Sequence, residues 1–417
     1  MCRNSAFALI LLALPGVASA ENWPSWRGPQ QNGISTDRNL PLEWSTTKNV
    51  RWKVPLPEAG NSTPIVWGDR IFITQSLDKG KRRALICFAR SDGKQLWQQE
   101  VECTVKETTH PDNPPCSSSP VADGEAVYAN FASAGILACD FDGKKLWHRE
   151  LGPLLHVFGN GSSPVLYKDL LIVFHGPGEP TFMIALNKRT GKTVWQQKEH
   201  ALNDKLFGTW SSPIVTRLGG RDELLMSLPG ESIGGDGWVK SYDPATGTEL
   251  WRCVGLGASL YPSPVVAAEG DMIFGASGFF GPILAIKPGG KGDITATHRR
   301  WRVAGRNPQR IGSAVVTSGN VYFADAEGFV ECLHADTGKQ VWKERLEGKL
   351  WGSMLLADGK LYVNNLEGKT FVLAASPRYE HLFTNDIGEP MYAGLAVSQG
   401  EIFLRSWRHL YCLRKQK

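Results

Sequence analysis

Apolar residues along this chain come in short runs closed by polar or glycine turns, and the runs repeat in fours. The clearest repeat is an acidic or polar turn with Gly, then polar residues, then Trp. Ser91-Asp92-Gly93-Lys94-Gln95-Leu96-Trp97 and Asp336-Thr337-Gly338-Lys339-Gln340-Val341-Trp342 are two copies, and others end at Trp147, Trp195 and Trp251. Trp52 and Trp301 fill the same slot behind weaker turns. From Trp52 to Trp342 the gaps are 45, 50, 48, 56, 50 and 41 residues. Short strands at regular spacing with Gly turns signal an all-β fold, and a fixed phrase at this period marks a propeller or solenoid.

A second phrase lies between the Trp turns: Ser-Ser/Thr-Pro, an apolar run, a turn and another apolar run. Its copies begin at Ser62, Ser118, Ser162, Ser211 and Pro262, with weaker ones at Gly312, Gly352 and Ala393. A third strand carries a small Ala or Cys, and a fourth begins at the Trp. Eight units of four antiparallel strands predict an eight-bladed β-propeller. The chain stops after the third strand of unit eight, at Leu410-Tyr411-Cys412-Leu413. Asn49-Val50-Arg51-Trp52-Lys53-Val54 is a strand with the Trp and no partners before it. This N-terminal strand is expected to complete the last blade and leave no long exposed edge. Each Trp is expected to pack between blades, where its area contributes most.

The first residues read differently. Arg3, an apolar run from Ala6 to Leu14, and Ala18-Ser19-Ala20 make a secretory signal peptide over 1–20. Residues 21–43 are then an N-terminal extension and 44–417 the propeller. No later segment approaches the ~20 apolar residues of a membrane span. The formal net charge of +5 is mild and spread out, which gives no footprint for nucleic acid or a membrane surface. The expected product is an exported monomer, periplasmic or extracellular.

Export permits disulfides. Cys87, Cys139, Cys332 and Cys412 occupy matching strand slots and read as small core residues. Cys103 and Cys116 share one irregular loop and are the disulfide candidates, alongside the reading that neither is bonded.

Propellers bind at the channel mouth, where inner strands begin. The residues just before the eight inner strands are Asn61, Ser117, Gly161, Trp210, Tyr261, Ile311, Trp351 and Tyr392. Four are aromatic and form a half-ring. Such faces would stack on a sugar, a quinone or a partner's side chain; they would equally serve to plug a wide channel. The loops leading into these strands add His110 and Asp112, His156, Arg306 and Arg310, and Glu389; Glu179 sits in an unusual Gly-Pro-Gly-Glu-Pro turn. These are groups for acid–base or anion chemistry, and also ordinary solvated loop residues. The histidines lack metal-site spacing, so no metal ligand and no catalytic residue is assigned. Gly230-Glu231-Ser232-Ile233-Gly234 matches a nucleophile pattern, but Pro229 before it and Gly235-Asp236-Gly237 after it make it a loop.

The turn-plus-Trp phrase resembles the pyrroloquinoline-quinone (PQQ) type propeller repeat over about residues 44–413. That repeat builds quinoprotein dehydrogenases and the propeller protein of the outer-membrane barrel-assembly machinery. Trp23-Pro24-Ser25-Trp26-Arg27-Gly28-Pro29, followed by Asn32-Gly33-Ile34-Ser35, resembles the opening of exported PQQ-like propellers abundant in planctomycetes. The dehydrogenases hold PQQ over a disulfide between adjacent cysteines, with Ca²⁺ and a carboxylate base. This chain has no Cys-Cys pair and no C-x-x-C-H haem motif. The assembly protein is a non-catalytic scaffold, normally a lipoprotein, and the lipid-attachment cysteine is missing here. The expectation is an exported, non-catalytic binding or scaffold propeller of the bacterial envelope, with an envelope protein or a small planar or sugar ligand at the mouth. The alternatives are a PQQ- and metal-dependent alcohol or sugar dehydrogenase, with acids such as Asp112, Glu179 and Glu389, and a carbohydrate-binding or carbohydrate-processing propeller.

Overall fold

A computed structural model of the chain describes residues 22–200, 206–231, 236–279, 281–304 and 308–416. The signal-peptide reading over 1–20, Ser232 of the set-aside loop and Arg306 lie outside the described residues.

Eight antiparallel sheets form the ring. Blade one runs through Ile65–Trp67, Arg70–Leu77, Arg82–Ala89 and Gln95–Glu102. Blades two to seven occupy residues 121–149, 165–198, 214–256, 265–303, 315–345 and 355–386. Blade eight combines Ala396–Ser398, Glu401–Arg405 and His409–Arg414 with Val50–Pro55 as its outer strand, Trp52 lying opposite Cys412. The expected N-terminal clasp is therefore present. The middle strands are apolar on both faces, as in Ile71-Phe72-Ile73 and Leu171-Ile172-Val173, because each sheet is sandwiched between two others. The core accordingly lies in layers between blades: Tyr128 and Ala138 of blade two pack with Leu171 and Ile184 of blade three.

The turn phrase and the Trp are two halves of one joint. Trp195, on the outer strand of blade three, donates its indole N–H to the Pro244 carbonyl in the turn of blade four, 3.1 Å away. Its ring covers Gly247, which has φ +74° and no room for a β-carbon. Trp52–Gly93, Trp97–Gly143, Trp147–Gly191 and Trp301–Gly338 repeat the arrangement. Within its own blade each Trp lies opposite a small residue: Cys87, Ala138, Ala185, Ser241, Ala285, Cys332 or Cys412. Blade seven substitutes Phe383 opposite Val372. Trp251 departs from the pattern by donating to the buried Glu223 carboxylate at 2.8 Å. In blade five the usual turn is replaced by a longer excursion containing the helix Thr295–His298.

The Ser-Ser/Thr-Pro phrase makes a second joint. The backbone N–H of Thr63 donates to Ser119 Oγ of the next blade (2.8 Å), and Ser119 to Ser163 (2.9 Å). Ser163 donates to Ser212 and Ser212 to Ser263, both at 2.8 Å. Ser263 donates to Ser313 and Ser313 to Ser353, both at 3.0 Å. Gly394 of blade eight donates back to Thr63 Oγ1 at 3.1 Å. The hydroxyl belt is broken only between blades seven and eight, because Gly394 carries none. The N-terminal extension covers that seam: after Ile34–Ser35 pairs parallel to Leu356 and Ala357 of blade seven, Gly400 of blade eight donates to Asp37 at 3.4 Å, and Trp44 stacks on Tyr362 at 6.3 Å within a cluster that both blades share.

Residues 22–33 cross one end of the central channel. Trp23 pairs with Val66 of blade one, and Ala122 of blade two donates to the Pro24 carbonyl. Val215 of blade four donates to Gln31 Oε1 at 2.9 Å. Arg27 reaches blade six, donating to the carbonyls of Ser313 at 3.1 Å and Ala314. Leu356 of blade seven donates to the Gly33 carbonyl. One segment thus ties five blades beneath the channel. No helix among the described residues is long and apolar enough to cross a membrane.

Candidate functional site

Above this segment the channel is a cavity of about 620 Å³. All eight residues that precede the inner strands line it: Asn61, Ser117, Gly161, Trp210, Tyr261, Ile311, Trp351 and Tyr392. They converge because each inner strand starts at the same radius and height, so one register position per blade faces the axis. The next residues inward (Thr63, Ser163, Ser212, Ser353 and Gly394) form the deeper wall.

The aromatics gather in two groups. Gly208–Thr209 pairs parallel with Ser259–Leu260, which sets the residues after each side by side. Trp210 and Tyr261 therefore meet at 5.0 Å, with Phe158 at 5.9 Å from Trp210. Trp210 is almost buried and donates its indole N–H to the Gly159 carbonyl at 2.8 Å. Across the cavity Tyr392 stacks flat on Trp407 at 4.6 Å and meets Trp351 edge-on at 5.6 Å. The Tyr392 hydroxyl donates to Asp112 Oδ1 at 2.9 Å; burial and that carboxylate push its phenol pKa up. Burial likewise raises the Tyr261 phenol.

Polar groups come from the loop before blade two. Asp112 lies 3.6 Å from His110 Nδ1. Asn61 donates to the Asp112 carbonyl at 2.7 Å and accepts from Trp407 at 3.2 Å. Asn113 donates to the carbonyls of Phe158 and Asn160. These bonds fasten the loop to blades one, three and eight, so its side chains are held in place. Gln309, Glu327 and Lys349 complete the polar lining, while Leu206 and Phe279 expose apolar side chains there.

Four of the loop candidates lie away from the cavity wall. His156 is buried behind Trp210, edge-on at 5.2 Å. Arg310 is fully buried and pairs with Glu331 across blade six. Glu389 turns into blade eight, where it accepts from Ser406 and from Tyr411 (2.8 Å) and lies 2.8 Å from His409 Nδ1. Burial alone would raise its carboxyl pKa; these hydrogen bonds outweigh that and hold it low. Glu179 is exposed and outside the lining. A loop resets the strand register, so these side-chain directions follow from local bonds and not from the repeat. Cys103 and Cys116 are free thiols, and Cys103 Sγ is turned to the Val105 carbonyl at 3.4 Å. Both sit on one apolar cluster between blades one and two.

Sequence reasoning missed Trp26, the lining residue contributed by residues 22–35. The Trp23–Pro29 motif carries a family resemblance but no local mark of a channel position, and by the strand count it belongs to an extension outside the ring. Phe158, Leu206 and Phe279 were missed because no repeat position marks them.

The architecture and the cavity define a closed eight-bladed propeller with an aromatic-walled cup on its axis. The chain belongs to the PQQ-repeat family described as outer membrane protein assembly factor BamB, whose model matches residues 45–215 and 235–377. Among characterised proteins it is similar to a quinone-dependent 1-butanol dehydrogenase of Thauera butanivorans, 32% identical over 142 residues. That match covers 31% of this chain and 21% of the dehydrogenase. It is also similar to a quinoprotein ethanol dehydrogenase of Pseudomonas aeruginosa, 32% identical over 146 residues, 32% of this chain and 22% of that one. The matched segment thus spans about a fifth of the length of these relatives. Among solved structures, BamB from Moraxella catarrhalis superposes with a TM-score of 0.61 at 15% identity, covering 88% of this chain and 97% of its own. The quinohemoprotein alcohol dehydrogenase from Comamonas testosteroni gives 0.68 at 12%, covering 95% and 81%. At these identities the structural likeness shows the fold.

The quinone and metal that the dehydrogenase likeness implies do not fit this lining. A Ca²⁺ ion needs several converging oxygen ligands, and a quinone bearing carboxylates needs cations around it. The carboxylates here are Asp112 and Glu327, one before blade two and one in blade six, and the basic side chains are Lys349 and the His110 imidazole. Among the described residues no three His, Cys, Asp or Glu side chains converge as a metal would require.

Proposed function

We propose that this chain is an exported, non-catalytic binding propeller of the bacterial envelope, and that its ligand or partner group occupies the axial cup. One observation carries the reading: the residue before every inner strand lines the same cavity, and four of those eight are aromatic. Its volume falls within the roughly 300–1,000 Å³ of small-molecule sites. Aromatic walls with a few fixed polar groups suit recognition, and the acid–base pair in the lining, His110 with Asp112, has its carboxylate already engaged by the Tyr392 hydroxyl. The likeness to an outer-membrane assembly factor supports the envelope setting and a partner as occupant.

The second reading, a PQQ- and metal-dependent dehydrogenase, is favoured by the 32% identity to two alcohol dehydrogenases over about a third of this chain. One experiment separates the two. The protein is titrated with PQQ plus Ca²⁺ and, separately, with sugars, following heat of binding and thermal shift. Replacing the half-buried Trp351 with Ala should weaken a cup ligand about tenfold with little change in melting temperature. Saturable PQQ binding that depends on Ca²⁺ would move the assignment to the dehydrogenase. If Trp351→Ala unfolds the protein, the aromatics are a plug and the binding reading fails.

A further inference from the structure

We propose that Trp26 is a ligand-contacting residue, the floor of the cup on which a neutral sugar ring stacks as an oligosaccharide enters by its end. The proposal rests on the cup being a ligand site and names what it takes.

The floor is built and rigid. Residues 22–33 bond to blades one, two, four, six and seven, so the channel is closed beneath the cavity. Trp26 is held from both sides. Before it, Trp23 is 1% exposed and exchanges both backbone hydrogen bonds with Val66. After it, the buried Arg27 guanidinium donates to the carbonyls of Asn32, Ser313 and Ala314. Among the described residues it has no carboxylate partner, and burial brings its pKa down to about 9. A charge placed at such cost against three carbonyls, and 5.8 Å from the centre of the Trp26 ring, fixes the turn that presents Trp26. Arg27 has φ +66° and Gly28 +83°, and a β-carbon at Gly28 would sit 2.7 Å from the Trp23 ring. While its neighbours Trp23, Ser25 and Arg27 are buried, Trp26 is only half-buried and lines the cavity.

The chemistry around it matches a neutral polyhydroxylated ring. Such a ring offers an apolar C–H face for an indole and hydroxyls for amides and carboxylates. Asn61, Asn113, Gln309, Asp112 and Glu327 supply the latter above the floor. The cavity's charged groups are two carboxylates and a single lysine beside one histidine, which offers no cationic cluster to select an anionic ligand.

The test is calorimetric titration of the full chain with cellotriose, maltotriose and xylotriose. The expected result is saturable binding of at least one. Trp26→Leu, which keeps apolar volume but no π-face, should weaken it about tenfold, and Trp26→Phe much less. Melting temperatures of both variants show that each is folded; the Phe–Leu contrast at matched stability carries the test if Trp26→Leu melts early. Failure of every trisaccharide to bind overturns the proposal, as does a Trp26→Leu protein that binds like wild type. If Trp351→Ala loses the sugar while Trp26→Leu keeps it, the cup stands and the floor contact falls. PQQ binding in place of every sugar likewise overturns the sugar assignment while leaving the cup as the site.

Discussion

The joint between the turn glycine and the preceding blade's Trp predicts a measurable energetic coupling, and Gly247 with Trp195 is the sharpest case. A β-carbon on Gly247 would lie 2.5 Å from one Trp195 ring carbon and 2.8 Å from another. It would also be held at φ +74°. The backbone conformation costs an L-residue about 1–2 kcal/mol. The steric clash adds about 1–3 kcal/mol, because the indole is pinned by its bond to the Pro244 carbonyl and cannot back away freely. Gly247→Ala should therefore destabilise by about 2–5 kcal/mol. Trp195→Ala removes a nearly buried indole and should cost about 3–5 kcal/mol by itself. In the double variant the clash is gone and only the backbone strain of the turn alanine remains. The two costs should then fall short of additive by about 1–3 kcal/mol. Guanidinium melts followed by far-UV circular dichroism measure the cycle, and hydrogen exchange in the turn at residues 243–248 localises it. Additive costs would show that the glycine is there for its backbone alone and that the Trp is not its steric partner.

Two further outcomes are expected. Ser263→Ala removes the hydroxyl that accepts from the buried Ser212 N–H and donates to the Ser212 carbonyl; it should cost about 1–3 kcal/mol, and unchanged exchange at the Ser212 amide would refute the belt. Glu389→Gln should destabilise by about 2 kcal/mol at pH 7. Because the folded carboxyl titrates below its unfolded value of ~4.3, its contribution is complete above that pH and is lost as pH falls through the folded value, so the gap to wild type should close in acid. A pH-independent gap in thermal melts would contradict this.

What could be read in the sequence was whatever the strand period controls. Counting phrases yields the blades, the orphan strand at Trp52 yields the closure, and one position per repeat yields the cavity ring. Side chains on strands have two directions only, so phase fixes where Asn61 or Trp351 points. Glu389, Arg310 and His156 sit in loops, where a bond to Ser406, a pairing with Glu331 or packing behind Trp210 decides the direction. None of those partners is a fixed number of residues away. Trp26 was hidden for a different reason. Its neighbour Arg27 bonds to Ser313 across 286 residues of sequence, and nothing local in Trp-Arg-Gly announces a channel floor. The serine belt falls between these cases: its phrase was visible, but its purpose is clear only when each hydroxyl is seen to accept from the preceding blade.

One stretch of chain does two jobs, and this links binding to closure. Residues 22–33 floor the cup, 34–44 cover the seam that Gly394 leaves in the hydroxyl belt, and 50–55 complete blade eight. An opening of the ring that separates blade one from blade seven would break the bonds that hold residues 22–33 and Trp26. A ligand resting on that floor therefore binds the closed ring and not the opened one, and it must stabilise the ring by RT ln(1 + [L]/Kd). At a hundredfold excess over Kd this amounts to about 2.7 kcal/mol, as large as the joint at a single blade. The belt can lack a hydroxyl at this seam because strap and clasp lie across it, and the same strap leads directly from the floor of the cup.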